Sequence, residues 1–95
     1  MIIEKKSKTA DIRIENDLIE GRSQEFVDSM KRLISEEIKR FNLDFTDLSF
    51  IDSYALSNLI IFCDKSDLEF SFKNVNKSLM NIFEIIKLNK LVLFE

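Results

Sequence analysis

Apolar positions along this chain follow two periods in turn, one of two residues and one of about 3.6. Ile12-Arg13-Ile14 alternates, giving a strand with one buried face. Phe26, Met30, Leu33 and Ile34 then share one helical face, with Ser23 as its candidate cap. Phe41, Leu43 and Phe45 alternate with Arg40, Asn42 and Asp44, a second strand. Leu48 to Ile51 is a strand-like apolar run that stops at Asp52-Ser53. Beyond it Leu56, Leu59, Ile60 and Cys63 return to the helical spacing. Leu68, Phe70 and Phe72 alternate with Glu69, Ser71 and Lys73, a third strand, and Leu79, Ile82, Phe83 and Ile86 make a third helical face capped by Asn76. Leu91 to Phe94 closes the chain as a last strand, and Ile2-Ile3 offers a short first one.

Strands alternating with helices of about ten residues predict parallel pairing through right-handed crossover helices. A parallel sheet covered on both faces would show continuous apolar strands. Here the strands alternate, so the expected fold is an α/β sandwich with helices mainly on one face and a partly solvated sheet. The second and third helices carry apolar residues outside their stripes: Ile61 and Phe62 in one, Met80 and Ile85 in the other. These are buried, or they form a docking surface; the two readings can coexist.

Composition narrows the function. Ninety-five residues, 45% of them hydrophobic and nine of them phenylalanine, suit one domain over 1–95 with its own core. A net charge of -3, with Lys and Arg scattered, gives nucleic acid no basic stripe. The start M-I-I-E-K-K shows no signal peptide, and the apolar run Leu59 to Cys63 is too short to cross a bilayer. One cysteine forms no internal disulfide, which fits a reducing cytoplasm; Cys63 itself reads as a small core residue.

The chain has no histidine, which removes Ser-His-Asp and Cys-His pairs and His-ligated zinc. One cysteine excludes Cys-rich metal sites, and one glycine, Gly21, leaves no P-loop or dinucleotide fingerprint. The expectation is therefore a protein with no catalytic residues, no cofactor and no metal site.

Phe41 to Leu56, F-N-L-D-F-T-D-L-S-F-I-D-S-Y-A-L, resembles the STAS domain of bacterial anti-sigma factor antagonists. In that family a strand ends in an aspartate, a short connection follows, and D-S-[ST]-G-L opens a helix. The later M-N-I-F-E-I-I and L-N-K-L-V-L-F-E, and the earlier I-R-I-E-N-D-L-I, extend the resemblance over the whole chain. It implies a single STAS-like domain with a mixed, mostly parallel sheet of four to five strands. Five positions depart from the pattern. Tyr54 stands for Ser or Thr and Ala55 for Gly. Asn16 and Ile19 replace the glycine and aspartate of the second strand, and Lys87 replaces a glycine near the end of the third helix.

By this resemblance Ser53 is the residue that an anti-sigma factor serine kinase phosphorylates. The implied function is a non-catalytic switch, an anti-sigma factor antagonist with a serine kinase and a serine phosphatase as protein partners. It would be cytoplasmic, not membrane-embedded, and a monomer or weak dimer. Asp52, Tyr54, Ser57, Asn58 and Arg22 are the expected partner-binding residues. The alternative keeps the fold without the modification, as an adaptor subunit of a membrane transporter complex, for which Tyr54 and Ala55 suit a constant apolar interface. As a bare turn, Ser53 is equally a helix N-cap, a task Asp52 can share or replace. Asp44, Asp47 and Asp52 lie near the end of one strand, where a carboxylate cluster can hold Mg²⁺, against plainer roles in strand, turn and cap. Asp64 to Asp67 reads as a turn, and Arg22 in Glu20-Gly21-Arg22 as a steering charge or a solvated loop residue.

Overall fold

In the computed structural model, which describes residues 1–95, one sheet carries the strands in the order β1 (Ile2–Lys6), β2 (Thr9–Arg13), β3 (Arg40–Asp44), β4 (Glu69–Lys73) and β5 (Leu93–Phe94). β1 and β2 form an antiparallel hairpin, and every other neighbouring pair is parallel. The crossovers are α1 (Gly21–Ser35), α2 (Ser53–Cys63) and α3 (Lys77–Ile85), with a single 3₁₀ turn at Leu88–Lys90 before β5.

Register explains why one face of the sheet is covered. Ala10, Phe41 and Phe70 pair in one row, and Ile12, Leu43 and Phe72 in the next, all of them buried. On the opposite face the rows read Asp11-Asn42-Ser71 and Thr9-Arg40-Glu69. Cross-strand bonds tie that face together: Asn42 Nδ2 donates to Asp11 at 2.7 Å and Arg40 Nε to Glu69 at 3.1 Å. The helices therefore pack on the apolar rows, and the polar rows meet water.

Seven of the nine phenylalanines are buried, and Phe45, Phe72, Phe83 and Phe94 interlock with ring centroids 4.9–6.1 Å apart. Each fully buried ring contributes about 1.5–3 kcal/mol. Phe94 is half-buried, and Phe50 is exposed at 68%. Cys63 is buried on the inward stripe of α2, and burial pushes its thiol pKa up. Asn76 caps α3 as its position suggested, accepting the Leu79 amide at 2.9 Å.

Several expectations need correction. Ser23 does not cap α1: the helix starts two residues earlier, and Ser23 is fully buried in its first turn. Leu48 to Ile51 is not a strand. Only Ile51 pairs, in an isolated parallel bridge to Leu18, because Leu48 is drawn into the core while Ser49 and Phe50 turn outward. β1 runs to Lys6, well past Ile2-Ile3, and β5 is shorter than Leu91 to Phe94. The extra apolar residues of the helices divide: Phe62 is buried and Met80 half-buried, while Ile61 and Ile85 are 56% and 78% exposed. At Lys87, where the sequence lacks a glycine, the backbone still takes the left-handed conformation at φ 63.

Candidate functional site

The entry to α2 is held by a neighbouring stretch of chain 32 to 33 residues earlier. Leu18 N–H donates to the Phe50 carbonyl at 2.9 Å, and Asp52 N–H to the Leu18 carbonyl at 2.8 Å. Asp17 Oδ1 accepts both the Ser49 and the Phe50 amides, at 2.9 and 3.0 Å. These two bonds, then the nearby Arg22 charge, outweigh desolvation and lower the Asp17 pKa.

Asp52 occupies the N-cap in extended backbone geometry (φ -81, ψ 171). Its Oδ1 accepts the Ala55 amide at 2.9 Å and its Oδ2 the Glu20 amide, also at 2.9 Å. The Ala55 bond is the chief cause of a lowered carboxyl pKa; burial opposes it, and Ser23, Glu20 and Tyr54 add to the lowering. The Ser23 hydroxyl stands beside this carboxylate, close enough to favour its charge but without the geometry of a completed hydrogen bond.

Ser53 is consequently the first residue of α2, exposed, with the capping done by Asp52. Tyr54, 42% exposed, and Ser57, also exposed, share the outer side of the helix; Asn58 is half-buried, its Nδ2 bonded to the Tyr54 carbonyl at 2.9 Å. α2 contains no charged residue from Ser53 to Cys63. Arg22 lies on the first turn of α1, close enough to Asp17 to act on its charge. The structure therefore brings Asp52, Ser53, Tyr54 and Ser57 to one outer surface, with Arg22 beside the same turn through Asp17.

The carboxylates considered for Mg²⁺ do not gather, and no group of three or more His, Cys, Asp or Glu side chains in the chain could hold a metal ion. Asp47 pairs with Arg13 at 3.1 Å. Asp44 accepts from Thr46 and from Asn74 Nδ2. Partial burial raises its pKa, but those bonds, with Lys73 nearby, outweigh it and bring it to about 2.

Asp17 and Phe50 were given no role in the sequence, while Ile19 was noted only as a departure from the family pattern and Glu20 only as a loop residue. Phe50 read as part of a strand-like run, and Asp17 fell within I-R-I-E-N-D-L-I, the segment that resembles the family's second strand. Glu20 starts α1 with φ 50 and ψ -120, the first central position of a type II′ turn closed by Arg22 N–H to the Ile19 carbonyl at 3.1 Å. Glycine is the residue suited to that position, and the only glycine comes one residue later, so the sequence carried no signal for this turn.

A family model for the STAS domain matches residues 1–95. A candidate anti-sigma factor antagonist from Thermotoga maritima has a similar structure, with a TM-score of 0.85 at 13% identity, covering 98% of this chain and 83% of that one. The anti-sigma factor antagonist SpoIIAA, solved in its unphosphorylated form, gives 0.74 at 15% identity over 88% of this chain and 81% of its own. No curated protein sequence matches the chain. No helix is long and apolar enough to cross a membrane.

Proposed function

Because the chain belongs to the STAS domain family, we propose that it is a non-catalytic regulatory switch, an anti-sigma factor antagonist controlled at Ser53. The observation that carries this reading is the division of labour at α2: Asp52 caps the helix and Ser53 is left exposed beside it. A serine with no structural task at a helix N-terminus is free to be modified.

Phosphorylation adds about −1.5 to −2 charges there. The helix N-terminus favours that charge by only ~0.3–2 kcal/mol, so the fold need not change. Leverage lies at an interface, where a like or unpaired charge taken out of water costs several kcal/mol. Unmodified Ser53 docks on the kinase partner through Asp52, Tyr54, Ser57, Asn58 and Arg22; phosphorylated Ser53 is repelled, and a phosphatase restores it. The setting is the cytoplasm, with the antagonist a monomer or weak dimer. Incubation with the anti-sigma factor serine kinase of the same organism and ATP, read by mass spectrometry, should place one phosphate on Ser53. An unmodified Ser53 ends this reading.

The uncharged α2, with Tyr54 and Ile61 outward, favours a second reading, an unmodified adaptor of a membrane transporter complex. Equal partner binding by Ser53→Asp and Ser53→Ala would select it.

A further inference from the structure

We propose that Asp17 is the positioning residue of the acceptor turn: its carboxylate fixes the Ser49–Asp52 backbone so that Phe50 stands beside Ser53 as an anchor for an apolar pocket on the docking kinase. This rests on the reading of Ser53 above. Phe50 is 68% exposed, yet its backbone is fully engaged, N–H to Asp17 at 3.0 Å and carbonyl to Leu18 at 2.9 Å. Ser49 donates to the same Asp17 oxygen at 2.9 Å and is also exposed. Burial of these two side chains therefore does not order the segment; the bonds to Asp17 and Leu18 do, between Leu48 in the core and Ile51 packed against it. An aromatic side chain on an already ordered backbone gives up little further freedom on binding, as interface hot spots require. The pocket should be apolar because Phe50 precedes the uncharged α2 by three residues, where Tyr54 is 42% exposed, and its carbonyl is bonded to Leu18, next in the chain to Ile19, 41% exposed.

The test uses the full chain as wild type, Asp17→Ala, Asp17→Asn and Phe50→Ala. Amide hydrogen exchange at Ser49 and Phe50 is followed by NMR, and steady-state phosphorylation of Ser53 with the purified kinase of the same organism. Asp17→Ala should speed exchange of both amides at least tenfold and raise KM about tenfold with kcat within twofold. Asp17→Asn keeps an acceptor oxygen and should recover most of both. Phe50→Ala, at an exposed site, should raise KM equally without altering exchange in its neighbour Ser49. Unchanged exchange in Asp17→Ala overturns the positioning role, and unchanged KM in Phe50→Ala overturns the anchor. If wild-type protein takes no phosphate, the switch reading and the anchor fall together, and the exchange data alone decide the role of Asp17.

Discussion

The N-termini of α1 and α2 meet at one carboxylate and solve the same problem by opposite means. α2 leaves an extended Asp52 whose side chain accepts a first-turn amide. α1 leaves Glu20, which has no side-chain cap and sits at φ 50, ψ -120. The single glycine follows one position too late, at Gly21, where φ is not positive. A non-glycine residue in such a region costs about 1–3 kcal/mol. The second oxygen of Asp52 bonds the Glu20 amide, so the relaxed helix start holds the strained one in place. Ser53 can be spared because the residue before it serves both helices.

Both helix starts depend on Asp52. Asp52→Ala removes a cap and a tether together and should destabilise the fold by about 2 kcal/mol in urea unfolding; a loss near zero would refute the shared-cap account. Acid acts on the same group. Its folded-state pKa lies below 3.8, so its contribution is complete above pH 3.8 and disappears as pH falls through the folded value. Asp44, brought to about 2, loses its contribution between pH 3.8 and about 2. Melting followed from pH 5 to pH 2 should show a steep decline, made shallower in Asp52→Asn.

Glu20→Gly sharpens the contrast from the other side, with an expected gain of about 1 kcal/mol as the turn receives the residue it favours. A destabilised Glu20→Gly would show that the turn is not strained. Gly21→Ala should add about 0.5 kcal/mol, since a Cβ there meets nothing within 4 Å. Smallest of all is Ser53→Ala, expected to change stability by less than ~0.5 kcal/mol. Were it to cost as much as Asp52→Ala, Ser53 would be a cap after all.

Where a segment buries one face, periodicity made it legible. Phe41, Leu43, Phe70 and Phe72 announced their strands because every second side chain meets the helices. β1 stayed largely hidden: Glu4, Lys5 and Lys6 on an edge strand are all exposed, so no alternation is written into them. Leu48 to Ile51 misled because an apolar run carries no record of which residues turn outward. At the candidate site, Asp52 and Ser53 were legible as a strand-to-helix punctuation. Asp17 and Glu20 were not, since their partners lie 32 or 33 residues away and only the parallel bridge of Leu18 to Ile51 brings them together.

The sealed thiol of Cys63 has a practical corollary. As the only sulfhydryl in the chain, and one held protonated in the interior, it should ignore maleimides under native conditions. A cysteine introduced at exposed Ser57 would then accept a fluorophore alone, turning the outer side of α2 into its own reporter of who arrives and how fast.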